Sequence, residues 1–294
     1  MIKLQTAVDV GISKVKLSLN DRILVIGSCF ADNIGEKMMH SGMDVCINPF
    51  GTLYNPVSVC NSLQRLSSGF HFTPDDCVEM GSGAGLICSF CHHTSFAKKT
   101  ADEFLANANS VLDKAADFYK SCNKVIITLG TSWCYNLRMT GETVSNCLKR
   151  NASEFSRVRL TLEQATAILE RTVKRLAMDC SEEERKEFIF TVSPIRHMAD
   201  GAHGNAVSKS ILLLATEHIV EKYPECTDYF PSYEIMMDEL RDYRFYAEDM
   251  VHPSELAVKY LWEQFRNFAV PDEEKEKLLA NEKLYRQSLH RNIH

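Results

Sequence analysis

No apolar run in this sequence approaches the ~20 residues that span a bilayer. The first ten residues, MIKLQTAVDV, lack the apolar core of a secretory signal. A cytoplasmic protein with no membrane partner is therefore expected. Basic residues are scarce as well: 33 Lys and Arg stand against 39 Asp and Glu, a formal charge of -6. That argues against a broad nucleic-acid surface. Neither GxGxxG nor GxxxxGK[ST] occurs, which disfavours a nucleotide binder. Internal repeats and low-complexity tracts are missing too. Cysteine is not scarce, with 11 scattered residues. Cys88 and Cys91, followed by His92 and His93, come nearest to a zinc-ligand cluster, but no second cluster at finger spacing completes it. The reading is no metal and no cofactor, with thiols acting as small buried hydrophobes in a reducing compartment.

What is present reads as one large α/β domain. Hydrophobic residues make up 45% and charged residues 24% of the 294 positions, an ordinary globular composition. Short apolar runs predict strands at Arg22–Gly27, Val45–Ile47, Lys124–Gly130 and Phe188–Val192, with a fifth around Tyr229–Tyr233. Helical periodicity fills 30–41, 56–66, 101–121, 161–179, 204–222 and 253–269, and 272–294 reads as a charged terminal helix or tail. Residues 67–100 and 131–159 read as insertions, the first a long Gly-, Ser- and His-rich loop or hairpin. Short apolar strands alternating with helices imply a parallel sheet covered on both faces. Such sheets bind ligands at the carboxyl ends of their strands.

The strand ends carry the chemistry. Gly27-Ser28-Cys29 follows the first strand and opens a helix, whose free N–H groups stabilise a nearby anion. Ser28 in this position is either a nucleophile or a plain N-cap. Gly130-Thr131-Ser132-Trp133 follows the third strand, as a ligand-approach turn or as a simple strand end. Asp249-Met250-Val251-His252 precedes the last core helix. A carboxylate three residues before a histidine can fix the imidazole tautomer for a nucleophile–base pair; equally, Asp249 can cap the helix.

The order of these pieces resembles the SGNH/GDSL hydrolases, whose last block is DxxH. The strings GSCFADN, NPFGTLYNP, LGTSW, SPIRH and EDMVHPS are similar to the GSCFA family of that superfamily, from about Arg22 to Phe268. The resemblance implies a three-layer α/β/α sandwich with a flavodoxin-like parallel sheet over residues 22–270. It also implies an acyl-ester hydrolase, a deacetylase of a small or carbohydrate ester. Under it, Cys29 or Ser28 is the nucleophile, with His252 as base and Asp249 as its partner. In the superfamily register Cys29 takes the nucleophile position and Ser28 that of the preceding Asp. Gly51 stands for the oxyanion-hole glycine, and Ser132 occupies the position of the oxyanion-hole asparagine. Asn48, Trp133, His92, His93, Arg196 and His197 are expected to line the substrate pocket. Arg196 would hold a carboxylate or phosphate, or pair with the chain's own acids. An acyltransferase with the same triad and a catalytically weak binding module are the competing readings. The intact DxxH argues against the module, because a protein with no proton to transfer has no need of the pair.

Overall fold

The computed structural model describes residues 6–81 and 83–291. The first half runs β1 (Arg22–Gly27), α1 (Cys29–His40), β2 (Asp44–Ile47), α2 (Pro56–Ser68), β3 (Val78–Glu79), β4 (Ile87–Cys88), α3 (Ala101–Ser121) and β5 (Lys124–Leu129). Then come β6 (Trp133–Leu137), β7 (Thr143–Val144), β8 (Phe155–Arg159), α4 (Leu162–Val173) and β9 (Glu187–Val192). The last elements are α5 (Gly201–Lys222), β10 (Thr227–Tyr229), α6 (Ser232–Glu234), α7 (Glu255–Ala269) and α8 (Asp272–Arg291).

Five strands form the central sheet in the order β10-β9-β5-β1-β2, every neighbouring pair parallel. Counting these five alone, the order is 2-1-3-4-5, the flavodoxin-like arrangement, with its switch point between β1 and β5. The strands are apolar throughout because both faces are covered. Leu24, Ile26, Val125, Ile127, Phe188 and Phe190 pack into one core with apolar residues of α2, α3, α4 and α5. Ile23, Val25, Ile126 and Ile189 face the other way, onto α1 and α7. This is a three-layer α/β/α sandwich.

The second core also takes in Val15, Leu17 and Leu278, so segments on both sides of 22–270 pack with it. The 67–100 insertion forms the antiparallel pair β3–β4, and 131–159 forms a three-stranded antiparallel sheet, β7-β6-β8. Ser82 in the first insertion and residues 292–294 of the expected tail lie outside the described residues. The fifth strand is earlier than expected, at Thr227–Tyr229. Pro231 has no N–H for a ladder and instead precedes the short turn of α6. No described helix is long and apolar enough to cross a membrane.

Candidate active site

Gly27 ends β1 with φ +139, and a Cβ there would sit 2.1 Å from the Thr128 carbonyl oxygen. Only glycine lets β1 turn this close to β5. Ser28 follows, 1% exposed. Its N–H donates to the Thr128 carbonyl at 3.1 Å and to Thr128 Oγ1 at 3.0 Å. Its Oγ accepts from Phe30 N at 3.3 Å and lies 3.3 Å from Thr128 Oγ1. Ser28 is thus the N-cap of α1, held against β5. Cys29, the first helical residue, is only partly buried and lines a cavity of about 510 Å³ at the switch point, as do His252, Trp133, Arg196 and His197.

Sequence position suggests a thiolate at Cys29, since a helix N-terminus lowers thiol pKa. The structure reverses that sign. Burial, aided by the negative charge of Asp32, pushes the Cys29 pKa up to about 11. The N–H groups of Cys29 and Phe30 and the charge of Lys209 pull the other way and lose. Cys29 is therefore a thiol at neutral pH and needs a base.

Asp249 and His252 form the pair that the DxxH spacing suggests. The Asp249 Oδ2 lies 2.6 Å from His252 Nδ1, and its Oδ1 accepts from the N–H groups of Val251 and His252, both at 2.9 Å. These backbone donors first, then the imidazole, hold the carboxyl down at about 2. The carboxylate fixes the tautomer, so Nδ1 carries the proton and Nε2 is the free acceptor. Asp249 does not cap α7; Ser254 does, accepting from Ala257 N.

Asp249 stands behind His252 rather than in the cavity lining, and five further expected site residues do not reach the cavity. Gly51 gives its N–H to the Asn48 carbonyl at 2.7 Å, so it is not an open oxyanion donor. Its φ of +83 and a Cβ position only 2.2 Å from His93 Cβ explain the glycine instead. Asn48 spends its amide on structure, accepting from Gly27 N at 2.8 Å and donating to Asp32 at 2.6 Å. The Ser132 hydroxyl is fully buried and donates to Ser208 Oγ at 3.1 Å. His92 is a core residue, bonded to Ser89 at 2.7 Å and packed against Phe50, Phe72, Phe96 and Phe104. Burial lowers its pKa to about 3, so it is neutral. His93 packs under Gly51 and caps the turn at Thr94–Phe96. Cys88 donates to the His93 carbonyl, and among the described residues no His, Cys, Asp and Glu side chains assemble a metal site.

Other residues take the positions that the sequence left open. Asn55 lines the cavity and N-caps α2, its Oδ1 accepting from Ser58 N at 2.9 Å. That bond fixes the amide orientation and leaves Nδ2 with no partner among the described residues. Thr131 also lines the cavity. Ser208 Oγ already accepts from the Ser132 N–H and hydroxyl, at 2.8 and 3.1 Å. With both lone pairs used it must donate to Thr131 Oγ1, 2.9 Å away. The Thr131 proton is thus left to point elsewhere. Beneath these lies Lys209, 1% exposed, whose Nζ donates to the Gly130 and Ser193 carbonyls, each at 2.7 Å. These carbonyls stand at the ends of β5 and β9. Burial lowers the Lys209 pKa to about 7, while Cys29 raises it. An Asn before Pro56 and a Lys on the apolar face of α5 were the available sequence signals. The first also reads as a cap and the second as a solvated charge.

The strand order and the switch-point cavity, with its thiol and its Asp–His pair, define a three-layer α/β/α protein with a candidate acid–base site. The chain belongs to the GSCFA family, whose model matches residues 22–265. No match was found among curated proteins or among solved structures.

Proposed function

We propose that this protein is an ester hydrolase acting on an acyl ester of a small molecule or carbohydrate, with Cys29 as nucleophile. The observation that carries the reading is the Asp249–His252 pair opening on the same cavity as Cys29. His252 Nε2 takes the thiol proton as Cys29 Sγ attacks the carbonyl carbon. The carbonyl π electrons move to oxygen, and on their return the carbon–alkoxy bond breaks. The alcohol leaves with the proton from His252. Water, deprotonated by the same imidazole, then attacks the thioester carbonyl; the carbon–sulfur bond breaks, the acid is released, and His252 returns the proton to Cys29 Sγ. Asp249 keeps the imidazole oriented and stabilises its charged form.

The oxyanion that forms needs donors. The Cys29 N–H at the helix start, the Asn55 amide and the Thr131 hydroxyl are available to supply them, in place of Gly51 and Ser132. Ser28 is a weaker nucleophile candidate, because its hydroxyl is buried and engaged as a cap. Eleven unpaired cysteines fit work in a reducing compartment.

The test is hydrolysis of a short-chain chromogenic ester by the native chain and its variants. Cys29→Ala and His252→Ala should each lose several orders of magnitude. Ser28→Ala should keep most activity and lose about 1 kcal/mol of stability with its cap. Activity retained in Cys29→Ala but lost in Ser28→Ala would make Ser28 the nucleophile. Activity retained in both would exclude both residues as the nucleophile, and a native chain with no activity would leave a binding module.

A further inference from the structure

The charged residues that line the cavity are Arg157, Arg196 and Asp200. Arg157 is stacked over Trp133 and ion-paired with Asp200, whose carboxylate is almost fully buried. Those two charges cancel. Arg196 remains, with no carboxylate partner among the described residues. This surplus cation sits in a chain whose net charge is -6, so the cavity opposes the sign of the whole molecule.

Arg196 is also held in place. It follows β9, and its N–H donates to the Val251 carbonyl at 3.3 Å. One Nη2 hydrogen is given to the Met250 carbonyl. The guanidinium lies 4.2 Å from the centre of the Tyr246 ring and 5.7 Å from that of Tyr243. Stacking and one carbonyl bond leave most of its five N–H donors uncommitted, and its Nε is buried with no partner. Trp133 Nε1, a donor only, is equally unpartnered. A cation fixed in one plane, with spare donors and no counter-ion, matches a bidentate oxyanion.

We infer that the substrate of this site carries, apart from its reacting ester, a carboxylate or phosphate group that Arg196 holds. The inference rests on the esterase reading for the word substrate, but the anion site itself does not need turnover. Its proximity to the Met250–Val251 turn ties anion binding to the loop that bears His252. An anionic substrate group would thereby be registered against the base.

Calorimetric titration of the full chain at low salt with succinate and with inorganic phosphate tests this. At least one should bind, competitively with the other where both do, and Arg196→Gln should weaken it at least tenfold. Arg196→Lys, which keeps the charge but loses the fork, should fall between them. The better-bound probe identifies carboxylate or phosphate as the group recognised. Thermal unfolding of each variant shows whether it is folded; if Arg196→Gln is not, the decision passes to Arg196→Lys, which must still bind more weakly than the native chain. Binding of neither probe to the native chain, or equal binding by native and folded variant chains, overturns the inference. Because binding is the readout, an active esterase that fails this test loses only the anion site. An inactive chain that passes it loses only the esterase reading.

Discussion

Replacing Lys209 with methionine removes an ammonium that is 1% exposed and bonded to the Gly130 and Ser193 carbonyls. Burial holds its pKa at about 7 in the folded chain, against an ordinary 10.5. Between those values the unfolded chain binds the proton more tightly than the folded one, so this group's contribution to stability rises with pH. The slope approaches ~1.4 kcal/mol per pH unit well inside the window. Allowing for half-titration at the lower end, the gain from pH 7 to pH 9 is roughly 2 kcal/mol. Methionine carries no proton and so removes the slope. A separate, pH-independent loss accompanies the change, about 1–3 kcal/mol for each carbonyl left unpaired. Urea unfolding of both chains under reducing conditions, at pH 7, 8 and 9, separates the two effects. Cys29 and His197 feel the charge of Lys209 but titrate in the fold at about 11 and about 4, outside this window, and groups without that coupling drop out of the difference. The stability gap should widen by about 2 kcal/mol in favour of lysine as pH rises. A gap that stays constant would mean that Lys209 remains fully charged in the fold, and the depressed-pKa argument would fail.

Asn55→Ala should lower kcat for a chromogenic ester by about 10²–10³ with little change in KM, as loss of an oxyanion donor does; an unchanged kcat excludes the amide from that role. Iodoacetamide labelling of Cys29, followed by peptide mass spectrometry, should be slow at neutral pH and still climbing above pH 9, because burial pushes the thiol up to about 11. A plateau near neutrality would reveal a preformed thiolate instead. His92 stays neutral in the fold down to about 3, against an ordinary 6.5. The unfolded chain therefore binds the proton first on acidification, and stability falls below pH 6.5. His92→Gln should remove roughly 2 kcal/mol of that fall between pH 6.5 and 5, read from paired unfolding curves; identical curves would refute the assignment.

The sheet was legible because both its faces are buried. Arg22–Gly27, Lys124–Leu129 and Glu187–Val192 are nearly continuous apolar runs, and such runs need no partner to be recognised. Thr227–Tyr229 was misplaced by a few residues. Three residues of an edge strand give little periodicity, and the aromatic run after it packs into the core instead. The Asp249–His252 pair was legible for a local reason: three residues of turn suffice to bring the carboxylate to the imidazole. The proposed oxyanion donors were not. The resemblance pointed to Gly51 and Ser132, yet their hydrogen-bonding groups are used by Asn48 and Ser208. The Ser208 contact joins residues 76 positions apart, and no local pattern announces it.

The sequence alone therefore determined the alternation of strand and helix and the Asp–His turn, because each depends on neighbours along the chain, and it left Ser28 open between cap and nucleophile. Tertiary structure decided which side chains meet at the switch point. It brought Asn55, Thr131 and Arg196 to the cavity with Cys29 and put Lys209 under its floor. It withdrew His92 into a cage of phenylalanines. It also set the sign of the Cys29 shift, since the helix start that favours a thiolate is local, whereas the burial that overrides it comes from the layers packed around the sheet.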